Sequence, residues 1–267
     1  MIIDFHTHVF PDRIAARTIA LLAEKGGIPP FSDGSVDGLL SAMGRAGVDI
    51  SVTLPVVTNP AQFESINRFA AAINSAEYGE GRLISFAGIH PRCEDIEGKM
   101  QFIKEQGFLG VKIHPDYQDT FIDDEGYVRI MECAREYDLI VVAHAGVDGA
   151  YRDTVHCPPS RALRLMERVP HTKLVLAHLG GNELADEVID SLCGRDVYFD
   201  TAYVLRSTPR KTFLRMVERH GAERILFATD SPWSDAEVDT AIIKSYGLGE
   251  RIEKMIFSEN EKRLLGI

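Results

Sequence analysis

A chain of 267 residues can bury one large core, and 45% hydrophobic with 26% charged residues is the balance of an ordinary folded domain. A net charge of −11 argues against nucleic acid or an anionic membrane surface as a partner, and no apolar run approaches the roughly 20 residues of a membrane span. The four cysteines (Cys93, Cys133, Cys157, Cys193) stand far apart without a Cys-x-x-Cys pair, and no basic-then-apolar leader opens the chain. The expectation is a cytoplasmic protein with a small-molecule substrate, compatible with a homo-oligomer.

The chain opens on Ile2-Ile3-Asp4-Phe5-His6-Thr7-His8, a short apolar strand ending in two histidines. Residues two apart on a strand share a side, so His6 and His8 are expected to present both imidazoles to one point. Neutral imidazole is the commonest nitrogen ligand of zinc and similar ions; the competing reading is two unconnected surface histidines. A helical pattern runs from Pro11-Asp12 to Gly26-Gly27, and a short helix carries Val36, Leu39, Leu40 and Met43 up to Gly47. Val48 to Val57 reads as the second strand. Asn59-Pro60 starts a helix through Phe63, Ile66, Phe69, Ala70 and Ile73. The third strand, Leu83 to Ile89, ends in His90-Pro91.

From there the alternation is regular. Strands are expected at Leu109 to Ile113, Leu139 to Ala143, Lys173 to Ala177, Val197 to Asp200 and Arg224 to Ala228. Helices are expected near Ile96 to Lys104, Val128 to Tyr137, Ser160 to Val169, Glu183 to Leu192, Pro209 to His220 and Asp235 to Tyr246. A last helix opens at Ser258-Glu259-Asn260-Glu261. Eight apolar strands, each followed by a helix, predict a parallel sheet covered by helices. The count and length fit a (β/α)8 TIM barrel of α/β class, in one domain spanning 1–267. The rival, a doubly wound open sheet, usually carries a glycine-rich phosphate turn where this chain has His6-Thr7-His8.

In a barrel the active site lies at the carboxyl ends of the strands. The polar residues there are His6 and His8, His90, Lys112 and His114, His144, His178, Asp200 and Asp230. Six of the nine histidines fall at these points, which scattered surface residues have no reason to do. Each keeps a plainer alternative: a satisfied core histidine for His144 and His178, a helix cap for Asp230, a turn for His90, structural contacts for Asp200. Lys112 and His114 alternate on one strand and should face the interior. A lysine there needs an acid, a substrate carboxylate or conversion to a metal-bridging carbamate; a structural salt bridge is the alternative. Tyr117, Gln118, Asp148, Tyr151, Arg152, Arg206 and Trp233 sit in loops that could shape a pocket. The loops after the fourth and fifth strands have the length of lids.

Taken together, His6-Thr7-His8, His144, His178 and Asp230 after strands one, five, six and eight resemble the amidohydrolase superfamily of metal-dependent barrel enzymes. Gly110-Val111-Lys112-Ile113-His114-Pro115, Ala177-His178-Leu179-Gly180-Gly181 and Phe227-Ala228-Thr229-Asp230-Ser231-Pro232-Trp233 are similar to its amidohydrolase-related branch. That branch includes decarboxylases similar to aminocarboxymuconate semialdehyde decarboxylase. The resemblance implies a divalent metal held by His6, His8, His144 and Asp230. It implies zinc or manganese, one or two ions per chain, with His178 serving a second ion or the substrate. Lys112 stands where binuclear members carry a carboxylated lysine, although His114 beside it is an extra candidate. The leading expectation is hydrolysis of a small amide, ester or lactone-like bond by a metal-activated water. Asp230 would be the base there, and His178 or His114 would orient the substrate or the oxyanion. The alternative is metal-dependent non-oxidative decarboxylation of a small carboxylic acid. A metal-bearing binding protein without turnover is the third.

Overall fold

A computed structural model describes residues 1–75 and 78–267. The strands are β1 (Ile3–Thr7), β2 (Ile50–Thr53), β3 in two pieces (Leu83–Ser85 and Ala87–Gly88), β4 (Gly110–Ile113), β5 (Ile140–Ala143), β6 (Lys173–Leu176), β7 (Tyr198–Asp200) and β8 (Ile225–Leu226). Every pairing is parallel and joins neighbours in sequence, β1 to β2 to β3 and then β3 through to β8. The seam between first and last strands is bridged by Phe5 N–H to Phe227 O (2.9 Å) and Asp230 N–H to His6 O (2.8 Å), with Thr7 paired to Ser231. The chain is a (β/α)8 barrel.

Apolar residues from the strands explain the closure. Ile3, Phe5, Val52, Leu54, Phe86, Ile140, Val142, Val175, Leu226 and Ala228 form one buried cluster, joined by Leu264 and Leu265 of the last helix. A larger cluster lies between strands and helices, with Val111, Ile113, Val141, Leu174, Leu176 and Phe199 meeting helix residues such as Met100, Ile130, Leu165, Ile189 and Phe213. Both faces of most strands are therefore dry, as the near-continuous apolar runs require.

The helices are α1 (Asp12–Gly26), α2 (Val36–Ala46), α3 (Phe63–Asn74), α4 (Ile96–Glu105), α5 (Glu125–Glu136), α6 (Pro159–Arg168), α7 (Ala185–Ser191), α8 (Arg210–His220), α9 (Ala236–Ser245), α10 (Glu250–Lys254) and α11 (Asn260–Leu265). Their ends follow local chemistry. Ser35 Oγ accepts from Gly38 N–H (2.9 Å), and Gly27 and Gly47 end α1 and α2 in left-handed backbone. Asn59 and Gln62 make a reciprocal capping box ahead of α3. None of the helices described is long and apolar enough to cross a membrane.

Two departures from the sequence expectations bear on the site. The second strand is Ile50–Thr53 rather than Val48 to Val57, because the apolar run continues past the ladder: the Leu54 carbonyl instead receives His8 Nδ1 (2.7 Å). In β1 the register slips by one residue between Asp4 and Thr7. This bulge breaks the two-residue alternation, so Phe5 packs in the apolar cluster while His6 turns to the polar site. Helix α10 and the wide π turn Met255–Glu259 after it were not expected from the sequence; they lead into α11.

Candidate active site

The loops leaving the strands surround one cavity of about 750 Å³. Its floor is polar, with His6, His8, Lys112, His114, His144, Asp148, His178 and Asp230; its walls are largely apolar, including Phe10, Leu54, Pro55, Phe69, Val147 and Trp233.

Three atoms converge on the floor. His6 Nε2 and His8 Nε2 lie 3.2 Å apart, and Asp230 Oδ1 lies 3.3 Å from the first and 3.1 Å from the second. The tautomers follow from the other ring nitrogens. His6 Nδ1 meets Asp200 Oδ2 (2.8 Å) and His8 Nδ1 meets the Leu54 carbonyl (2.7 Å), so both Nδ1 atoms donate. Both Nε2 atoms then carry lone pairs turned toward each other and toward a carboxylate oxygen. Three acceptors in contact repel unless a cation lies among them. That donor set, two imidazoles and a carboxylate steadied from behind by acceptors, fits a divalent ion.

Lys112 Nζ lies 3.0 Å from His6 Nε2. Burial draws its ammonium down to about 8, against the attraction of Asp200 and Asp230. Burial also holds His6, His114 and His144 neutral, well below the ordinary histidine range. Burial would push the Asp230 carboxyl up, but His6 and then His8 outweigh it and bring it to about 2.

The remaining histidines form a separate group. His178 Nδ1 meets Ala202 O and its Nε2 meets His144 Nδ1, both at 2.9 Å. His144 Nε2 faces Asp116 Oδ2 (3.6 Å) and Asp148 Oδ2 (4.0 Å) rather than the cluster of His6, His8 and Asp230. The His144 ring stacks on His114 at 4.1 Å and 11°. His114 Nδ1 accepts from Tyr117 N–H (3.3 Å), which leaves its hydrogen on Nε2, 3.6 Å from Asp148 Oδ2.

The backbone that delivers these groups is bent. His178 and Asp230 have φ of 59° and 66°, left-handed values that non-glycine residues avoid, at a cost of about 1–3 kcal/mol each. Gly146 is needed where it stands: a Cβ there would lie 2.1 Å from Asn182 N, where the loops after β5 and β6 pair.

Of the loop residues expected to shape the pocket, Tyr117, Asp148, Tyr151 and Trp233 line it. Gln118 instead is buried structure, donating to Val57 O and Ile89 O and accepting from His114 N–H. Arg152 pairs with Glu183 on the surface, and Arg206 lies 3.7 Å from Asp239. His90 closes a turn by accepting from Arg92 N–H (3.0 Å). Asp116 was not among the residues expected at the site, while Asp200 makes structural contacts as expected, its two oxygens serving His6 Nδ1 and the amides of His178 and Ala202. The signal available was an acid at a strand end for Asp200 and one three residues past a strand end for Asp116.

The amidohydrolase family model matches residues 3–267. No curated protein matches the chain. Several solved structures share its fold. A 5-carboxyvanillate decarboxylase from Sphingomonas paucimobilis is 15% identical with a TM-score of 0.71, covering 100% of this chain and 99% of the other. A dihydroxybenzoic acid decarboxylase from Polaromonas, with bound manganese and the inhibitor 2-nitroresorcinol, is 15% identical at 0.73, covering 99% and 96%. A probable 2-pyrone-4,6-dicarboxylic acid hydrolase from Acinetobacter baumannii, with citric acid bound, is 16% identical at 0.69, covering 100% and 99%.

Proposed function

The chain belongs to the amidohydrolase family, and we propose that it is a metal-dependent carboxy-lyase that removes carbon dioxide, without oxidation, from a small acid with a flat apolar body. The observation that carries this reading is the polarity of the cavity: cation-seeking acceptors and a buried lysine on the floor, apolar and aromatic walls above. Such a space takes an aromatic or enol acid with its carboxylate down. The decarboxylases of similar fold act, by their names, on acids of this kind, and the manganese of one supports a divalent ion, manganese or zinc, at His6, His8 and Asp230.

When bound, the ion would supply positive charge that anchors the acid's oxygens and draws electron density off the reacting carbon. The chain's own groups do the rest. Lys112 pairs with the substrate carboxylate beside His6. Asp230, ionised, fixes the two histidines and takes no proton-donor role. As the carbon–carbon bond breaks, carbon dioxide leaves and the electron pair stays on the ring or enol carbon. His114 is the donor for that carbon through Nε2–H, once the anionic substrate beside it lets it take a second proton from water, since both nitrogens of His178 are already engaged. The open cavity returns a proton to His114 from water.

The ionised Asp230 also favours a second reading, hydrolysis of a small amide, ester or lactone-like bond. There Asp230 takes a proton from water, and His178 or His114 steadies the oxyanion. The hydrolase of similar fold supports it. Carbon dioxide release from a panel of aromatic and enol acids, run beside an ester, amide and lactone panel, separates the two. In heavy water, decarboxylation leaves one deuterium on the carbon that lost its carboxylate. Turnover of a lactone with no carbon dioxide from any acid would sink the carboxy-lyase reading.

A further inference from the structure

The first helix crosses the mouth of the barrel. It starts just after β1, at Asp12, and its far end meets the loop after β5, on the opposite side of a ring of eight strands. There Lys25 Nζ donates to Tyr151 Oη (2.6 Å) and lies 3.8 Å from the centre of that ring. Gly149 comes so close that a Cβ on it would lie 3.0 Å from the Gly26 carbonyl oxygen. Helix α1 is thus a roof over the histidines.

Ile14, Thr18, Leu22 and Gly26 of this roof line the cavity. Positions four apart form one ridge along a helix, and at 1.5 Å per residue these four cover about 18 Å. The space therefore extends along the underside of α1 and does not end above the floor. Helix α3 supplies a second wall through Ser65, Ile66 and Phe69, again one helical face. Neither ridge carries a charge. Yet Leu22, Ile66 and Phe69 are only half buried, and Ile14 is 42% exposed, so each would gain from apolar cover. A cavity of about 750 Å³ is the room of a drug-sized ligand, and a single ring seated on the floor would leave much of it to water.

From the continuity of floor and roof we infer that the substrate acid carries an apolar arm, a linear hydrocarbon chain of several carbons opposite its carboxylate, which lies beneath α1 and along α3. The inference deepens the carboxy-lyase reading and rests on it for the seat of the carboxylate at Lys112. The floor holds the reacting end, and the two uncharged ridges select for the rest. A second charged group in place of the arm would lose its water there without gaining a partner.

The test is a series of 4-alkyl-2-hydroxybenzoates, methyl to pentyl, whose alkyl group points directly away from the carboxylate. Affinity for the manganese-loaded full chain is read from the fluorescence of Trp233, the single tryptophan and part of the cavity wall. Kd is expected to fall about two- to fourfold with each added methylene, fourfold being the gain for a fully buried one. In Leu22→Asn and Ile66→Asn, with folds checked by circular dichroism, the gain from methyl to pentyl should shrink at least about fivefold; if one unfolds, the other decides. A wild-type series flat with chain length would overturn the arm, as would variants that keep the full gain. Sedimentation of the same proteins tests the other occupant: a dimer that Leu22→Asn splits would mean that a second copy covers these side chains, and the inference falls. Carbon dioxide from the methyl acid beside a flat series would leave the carboxy-lyase reading standing without the arm. A steep series with no carbon dioxide would keep the arm and sink the reaction.

Discussion

Asp200 does not itself line the cavity, yet it fixes two groups of the floor at once. One oxygen holds His6 Nδ1 and the other receives the amides of His178 and Ala202. Partners behind a metal-binding histidine typically tune affinity by 10–100-fold. We therefore expect Asp200→Asn to weaken manganese binding by about that factor, read by calorimetric titration, with the fold retained. For His114→Gln we expect kcat to fall by about 10²–10⁴ with little change in KM, as loss of a proton donor requires. Equal losses in both parameters would assign His114 to binding instead. Such residue types at strand ends were legible in the sequence, because imidazole and carboxylate have few reasons to gather there. Which histidine faces which acid was not. That choice hangs on the carbonyls of Leu54 and Ala202, and a carbonyl is present at every position whatever the side chain.

The strands and helices were legible for a different reason: their apolar periodicity is the same property that buries them. Their limits were less so. An apolar run reports burial, whereas a strand ends where its ladder ends, so Val48 to Val57 contains a strand of only four residues, Ile50–Thr53. The bulge in β1 was hidden too, since Asp4-Phe5-His6-Thr7 alternates as an unbroken strand would. Loop contacts carry a sharper signature in glycine. Gly146 has φ of 83° and backs directly onto Asn182. Gly146→Ala should cost about 2 kcal/mol or more and shift His144, seen as a lowered Tm together with weaker metal binding. A variant of unchanged Tm would mean that the loops after β5 and β6 part more easily than their pairing implies.

Buried titratable groups far from the cavity set the pH range of the whole barrel. His220 lies on Phe199 with ring centroids 4.0 Å apart, and burial draws it down to about 4 from 6.5. Between those values the unfolded chain takes up a proton that the folded chain refuses, so stability falls as pH drops from 6.5 toward 4. The loss is about 3 kcal/mol. Asp239 acts in the opposite sense. Burial raises it from 3.8 to about 6, and stability therefore falls as pH rises through that window, again by about 3 kcal/mol. Urea unfolding at pH 5 and 7 should show a flattened acid limb in His220→Phe and a gain at pH 7 in Asp239→Asn. Neither effect was visible in sequence, because nothing marks these two residues as buried except the helices that cover them.

The seam between the first and last strands has a consequence in time. Asp4 receives the amide and hydroxyl of Thr229, 225 positions away, and the same junction brings Asp230 to His6 and His8. A chain emerging from the ribosome presents its two histidines first and must wait for nearly everything else before the aspartate arrives. On the proposed metal site, ion capture by all three residues would report that the ring has closed. A misclosed chain could not offer the full set, so a bound ion would mark only those copies whose first strand has met its last.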